Sequence, residues 1–264
     1  MIHNILRSKS ARLFLVLGGF FISTALLAQL IGVKIFSFED TFGMQRMDIP
    51  LFGEGFSFQL SAGILLWPVV FIITDIINEY YGPRGVKFLT KLTVVISILS
   101  FFAINAAILL PPSELFTLGN GITDANSAFR GIFGQGTWVI VGTLCAFYIS
   151  QMLDVNIFHQ IKKKTGRNKL WLRATGSTLV SQLIDTFVMF FISFYLGKQI
   201  QGNQGEAWTM QQLLIAGTGN YIFRFLIAIM VTPVIYMIDG ILEMYFGLDD
   251  AALMKEAAMR RENN

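Results

Sequence analysis

Asp185 and Arg224 each lie near the middle of an apolar segment long enough to cross a membrane. Asp75 and Glu79 close another, in the run Trp67-Pro-Val-Val-Phe-Ile-Ile-Thr-Asp-Ile-Ile-Asn-Glu-Tyr-Tyr-Gly82. An ionised side chain in hydrocarbon costs about 3 kcal/mol or more, so each of these groups needs an opposite charge, water or a ligand. A buried carboxylate can accept neighbouring N–H donors in pairs, or it can carry a proton. These residues are therefore the first place to look for function.

Their spacing gathers them on helix faces. Ser177, Ser181, Asp185 and Met189 step by four, with Gln182 beside Asp185. Gln212, Ala216, Asn220 and Arg224 also step by four, and Gly217 and Gly219 thin that helix for close approach. Asp185 is about 12 residues from one end of its segment and Arg224 about 11 from the opposite end of the next, so both reach the midplane at 1.5 Å per residue. They can therefore meet, as an ion pair that fixes helix register; in the functional reading one or both contact a polar solute, alone or as a pair that opens on binding. Asp75, Asn78 and Glu79 share a face at i, i+3 and i+4, and Pro68 predicts a kink before them. The plainer reading is an interfacial helix end balanced by Arg84 and Lys87. Asp154 is expected to pair with the basic loop that follows it, and Asn105 to bridge helices.

Other chemistries are missing. There is no Gly-x-x-x-x-Gly-Lys-Ser/Thr phosphate cradle, no His-Glu-x-x-His and no Gly-x-Ser-x-Gly elbow. The chain is not expected to be an enzyme or to drive transport with ATP by itself, and no cofactor is expected. His159 has no second His or Cys at metal-ligand spacing, so no metal is expected. Cys145 is the single cysteine, which excludes an intrachain disulfide. The run Lys162-Lys163-Lys164 is read as a topology signal facing anionic lipid, and no nucleic-acid partner is expected.

The elements that must hold these residues are membrane helices. The 264 residues are 54% hydrophobic and only 14% charged, against roughly a quarter charged in soluble domains. A span needs about 20 apolar residues. Six segments fit: 13–35, 58–78, 88–110, 137–158, 174–196 and 213–237. The first is longer than a signal-peptide core of roughly 7–15 residues, so it reads as an uncleaved span. Of the 20 Lys and Arg, 15 fall on one side, including Arg7, Arg167 and Arg261. Lys34, Arg46, Arg130 and Lys198 fall on the other, and Arg224 lies within a span. The positive-inside bias puts both termini in the cytoplasm. The expected fold is all-α: a polytopic membrane protein with six transmembrane helices in one bundle. Residues 1–240 form the transport domain, and residues 241–264 a cytoplasmic tail with a short helix.

Two runs carry a resemblance. Trp67–Gly82 and Trp171-Leu-Arg-Ala-Thr-Gly-Ser-Thr-Leu-Val-Ser-Gln-Leu-Ile-Asp-Thr186, with Ile149-Ser-Gln-Met-Leu-Asp-Val-Asn-Ile-Phe158, resemble the bacterial queuosine precursor transporters, also described as vitamin-uptake-type transporters. The resemblance covers roughly 60–260 and departs at Ala174-Thr175, where Asn is expected at one position. It implies a bundle like the substrate-binding subunits of energy-coupling-factor transporters, in the bacterial inner membrane. It also implies import of 7-deazaguanines such as 7-cyano-7-deazaguanine for salvage into tRNA. Asp185 and Glu79 are then expected to accept the guanine-like N–H edge, with Asp75 on the same face as Glu79. Gln182, Asn78, Arg224 and Asn220 are expected to meet the remaining polar atoms, and Trp67 to wall the base. The expected partners are a small deazapurine and the lipid bilayer; a separate ATPase module and a homo-oligomer stay open. The alternatives are import of another vitamin or nucleobase and, from another class, an intramembrane enzyme. The latter would want a pair of midplane acids or a Ser–His dyad.

Overall fold

The computed structural model describes residues 8–45, 49–51, 54–56, 58–119, 122–134, 136–166, 169–200 and 208–260. Arg7, Arg46, Arg167 and Arg261 of the charge tally lie outside the described residues. The chain is all-α apart from short hairpin pieces. Helix α1 is Lys9–Ile31, α2 Trp67–Tyr81, α3 Pro83–Leu109, α4 Ala125–Phe133, α5 Thr137–Thr165, α6 Leu170–Phe190, α7 Met210–Phe246 and α8 Leu248–Arg260. Strand β1 (Ile35–Ser37) pairs antiparallel with β4 (Gln59–Ser61), Phe36 opposite Leu60. Strands β2 (Ile49–Leu51) and β3 (Glu54–Phe56) pair in the same way, Pro50 opposite Gly55.

Among the described residues, α1, α3, α5, α6 and α7 are long and apolar enough to cross a membrane. The second expected span differs. Residues 59–61 are strand, Ala62–Leu65 is a 3-10 turn, and the α-helix begins only at Trp67. The cause is local. Ser61 donates to Gly32 O at 2.8 Å and accepts from Gly63 N–H at 3.3 Å, pinning the turn against the end of α1. A Cβ on Gly63 would stand 2.5 Å from Ala28 O. Pro68 does not kink the helix as expected, because it sits in the first turn, where a missing N–H costs nothing.

Other boundaries follow their caps. Thr209 and Gln212 form a reciprocal capping box at the start of α7, which takes Gln212 out of the polar stripe. Asp124 caps α4, accepting from Ser127 N–H at 2.9 Å. After Phe190 the backbone widens into a π-helical segment, Phe191–Leu196, against which Gly142 of α5 packs closely. Asn105 bridges nothing: it is exposed and donates to Phe101 O on its own helix at 2.8 Å.

Two apolar clusters hold the bundle. One joins Phe21 and Ala25 of α1 to Val70, Ile73 and Ile77 of α2, with Val86, Leu89, Phe147 and Val155. The other joins Ile76 and Tyr80 to Phe158, Ala174, Ile235 and Leu242 and reaches Ala251 of α8. Phe88, Val95, Leu99 and Phe102 of α3 point outward, as a lipid-facing surface requires.

Candidate functional site

Helices α2, α5, α6 and α7 turn polar faces toward one another in three layers. Twelve residues of α6 separate Arg173 from Asp185, about 18 Å along the axis. The first layer is centred on Glu79, which is 1% exposed. Arg173 Nη2 lies 2.9 Å from its Oε1 and Lys162 Nζ 3.1 Å from its Oε2. The Lys162 ammonium also donates a hydrogen bond to Glu79 O at 2.7 Å, so it holds both the backbone and the side chain of Glu79. Arg173 also donates to Gly166 O at 2.9 Å, tying the C-terminal end of α5 to the cluster. The expected balance of Glu79 by Arg84 and Lys87 is therefore replaced by Lys162 and Arg173, which the fold brings in from α5 and α6.

The third layer contains the expected midplane pair. Arg224 Nη1 makes an ion pair with Asp185 and donates to Gln182 Oε1 at 2.7 Å. Ser150 Oγ donates to Asp185 Oδ1 at 3.2 Å. The Asp185 and Arg224 side chains retain 16% and 15% exposure, so the pair is partly open. A Cβ on Gly217 would stand 2.6 Å from the Phe187 ring, so this glycine permits the close approach of α6 and α7.

Between them lies a layer with unmet polar atoms. Asp75 and Asn78 are 2% and 1% exposed. Asp75 Oδ1 and both amide atoms of Asn78 have no hydrogen-bond partner among the described residues. Leaving such an atom unsatisfied costs about 1–3 kcal/mol. Asp154 does not reach the basic loop; it accepts from Ser181 Oγ at 3.1 Å and lies close enough to Asp75 for the two carboxyls to repel. Asp75 also borders a narrow recess between α2, α6 and α7, with room for little more than one water molecule. Its polar lining is Asp75, Thr175 and Thr178, and its walls include Pro68, Phe71 and Ile227. Thr175 and Thr232 share a hydroxyl hydrogen bond of 2.8 Å at this wall.

Two expected residues stand apart. Trp67 stacks on Phe71 at 6.2 Å and packs on Phe147, in the apolar cluster. Asn220 donates back to Ala216 O at 3.0 Å. Sequence reasoning gave no site role to Asp154, Ser150, Thr175, Thr178, Lys162 or Arg173. The i, i+4 spacing of Ser150 and Asp154 was a readable signal, whereas Lys162 and Arg173 looked like loop charges.

Residues 61–238 match the family described as "Putative vitamin uptake transporter". A Bacillus subtilis protein named "Probable queuosine precursor transporter" is 32% identical over 148 residues, covering 53% of this chain and 59% of that protein. The "Queuosine precursor transporter" of Escherichia coli is 24% identical over 172 residues, covering 65% of this chain and 69% of that protein. A Haemophilus influenzae "Probable queuosine precursor transporter" is 25% identical over 181 residues, covering 66% of each. The match thus spans less than two thirds of the Bacillus protein's length. No solved structure matches the chain.

Proposed function

This chain belongs to the "Putative vitamin uptake transporter" family, and from that premise we propose that it imports queuosine precursors across the bacterial inner membrane. The solutes are 7-deazaguanines, with 7-cyano-7-deazaguanine the first to test. The names of the three relatives support this reading. The observation that carries it is a buried carboxylate with an open acceptor, beside a narrow apolar-walled recess that must widen to admit the base.

The roles follow from chemistry. A guanine-like base presents two adjacent N–H donors, and the Asp75 carboxylate accepts them as a pair. Asn78 has both a donor and an acceptor to offer, and Thr175 and Thr178 supply hydroxyls. Phe71, Pro68 and Ile227 flank the ring plane. The partly open Asp185–Arg224 pair, with Gln182, lies seven residues beyond Thr178, about 10 Å along α6. It meets the solute on the way in and opens to it. Glu79 holds the other end of the cluster shut through Lys162 and Arg173. Pro233 interrupts the hydrogen-bond ladder of α7 next to cavity residues Val231 and Ile235, which lets that wall yield.

The topology belongs to the same proposal. A 3-10 turn rises about 2 Å per residue and an α-helix 1.5 Å, so Ala62–Leu65 plus α2 reaches about 30 Å and completes a sixth crossing. Six crossings put both termini on the side with 15 of the 20 basic residues, the cytoplasm. The test is uptake of labelled 7-cyano-7-deazaguanine by bacteria that cannot make it, with queuosine in tRNA as the readout. The chain should restore both, and Asp75→Ala should abolish both at normal expression. No restoration by the wild-type chain refutes the function.

A further inference from the structure

The buried charges beside the recess are out of balance. Asp75, Glu79 and Asp154 bring three carboxyls into the interior, and Lys162 and Arg173 bring two cations, both ion-paired to Glu79. Asp75 and Asp154 are left facing each other with no salt bridge among the described residues. A charge so enclosed is costly unless neutralised, and one proton neutralises the set. A metal ion is a poor substitute, because no group of three metal-binding side chains exists among the described residues.

Asp154 is surrounded by groups that suit a proton arriving and leaving. Hydroxyls of Ser177, Thr178 and Ser181 stand around it. Ser181 Oγ donates to Asp154 at 3.1 Å but also has Thr178 O within 3.0 Å, and Ser177 Oγ has Ala174 O at 3.2 Å. Ser177 and Ser181 can each donate to an ionised Asp154, or turn to the carbonyl three residues earlier on α6 and accept from a protonated one. The charged and titratable groups that face this site are few. From α2 come Asp75 and Glu79, and from α6 Arg173 and, one layer on, Asp185 with its partner Arg224 of α7. On α5 itself the titratable neighbours along the helix are the buried His159 and Lys162, and from α8 comes Lys255, which acts on Lys162. The buried hydroxyls Thr90 and Thr93 of α3 donate back to Val86 O and Leu89 O of their own helix.

We propose that Asp154 is the proton-binding residue of a proton–solute symport, one proton per solute. This rests on Asp75 being the solute's acceptor. Two N–H donors need Asp75 ionised, so, with His159 neutral, the single proton that balances the cluster resides on Asp154. The loaded site is neutral: Asp75 ionised and bound to solute, Asp154 protonated, Glu79 ionised between its two cations. Solute and proton enter from the same side and leave to the other, with no bond made or broken except O–H.

The experiment uses the purified full chain and 7-cyano-7-deazaguanine. Calorimetric titration in buffers of different ionisation heat counts protons exchanged on binding. Proteoliposomes with an inside-alkaline gradient of one pH unit and no membrane potential then measure accumulation. Wild type should take up close to one proton per solute bound at alkaline pH and accumulate solute about tenfold. Asp154→Asn, a mimic of the protonated acid, should bind and exchange solute within about threefold of wild type. It should bind without proton uptake and fail to accumulate. Binding by wild type without proton uptake at a pH alkaline enough to strip the empty cluster of its proton overturns the symport while leaving the import reading standing, and needs no variant to fold. Accumulation by Asp154→Asn equal to wild type also overturns it. Absence of any solute binding by wild type overturns the import reading and the symport together.

Discussion

Replacing Glu79 with Ala leaves Lys162 and Arg173, each 2% exposed or less, without the carboxylate both of them face. Removing one partner from a buried ion pair costs about 3–5 kcal/mol, because the survivor's charge stays desolvated. Here two cations are stranded. Ionisation of nearby Asp75 and Asp154 offsets part of that, which keeps the expectation within this range. For a chain of this size each kcal/mol moves the melting midpoint by about 2–4 °C, giving a fall of roughly 6–20 °C. The assay is thermal unfolding of the detergent-purified chain, followed by loss of the monodisperse peak on gel filtration. Two companions separate charge from shape. Glu79→Gln keeps the volume and should fall nearly as far. The triple change Glu79→Met, Lys162→Met, Arg173→Met removes all three charges and should recover most of the loss, since apolar replacement of a whole buried ion cluster is often neutral. Melting of Glu79→Ala within 2 °C of wild type would mean that Glu79 does not neutralise the two cations, as would a triple variant less stable than the single one.

Three further outcomes are expected. Arg224→Met leaves Asp185 with Ser150 alone; because the pair is partly exposed, stability should fall by only about 1–2 kcal/mol while solute uptake drops at least tenfold. Normal uptake by a well-expressed Arg224→Met would make the pair a register device. Gly82 has a φ of +76° and a Cβ there would stand 2.9 Å from Ala258 O, so Gly82→Ala should loosen α8 and expose it to limited proteolysis. Lys255 of α8 is pulled down by partial burial but held up more strongly by Asp239 and Glu243, at 2.9 and 2.8 Å, for a net rise above the ordinary lysine value. A raised folded-state value means its stabilisation is complete below the unfolded value and is lost as pH climbs through the folded one. Protease resistance of α8 should therefore persist through neutral pH and fail only above the ordinary lysine range, and failure near neutrality would contradict this.

The helices were legible because a span announces itself by length and apolarity, and the polar stripe on α6 by its fourfold step. The meeting of Asp185 and Arg224 followed from depth alone. The partners of Glu79 were not legible. Lys162 and Arg173 sit in a basic stretch whose local pattern says loop, and only the approach of the end of α5 to the start of α6 around Glu79 carries them inward. Asp75 and Glu79 lie four residues apart on one helix face, and nothing in that spacing says that Glu79 captures both cations while Asp75 is left open. The late start of α2 was hidden for a similar reason. An apolar run reads the same as helix or as 3-10 turn, and the hydrogen bonds of Ser61 to Gly32 and Gly63 decide it. Trp67 illustrates the converse: a tryptophan beside a polar helix face was expected at a ligand, but its position in the first turn points it into the packing against Phe147.

The central claim is that Asp75 accepts the amine edge of a deazaguanine, and a four-way binding comparison tests it directly. Wild type and Asp75→Asn would each be titrated with 7-cyano-7-deazaguanine and with the same compound lacking its 2-amino group. The account predicts a coupling of about 1.5–3 kcal/mol between the carboxylate and the amine, seen as an affinity loss of roughly 10- to 150-fold on removing either partner and little more on removing both. Independent, additive losses from the two changes, or equal affinity of Asp75→Asn and wild type for the intact compound, would contradict it.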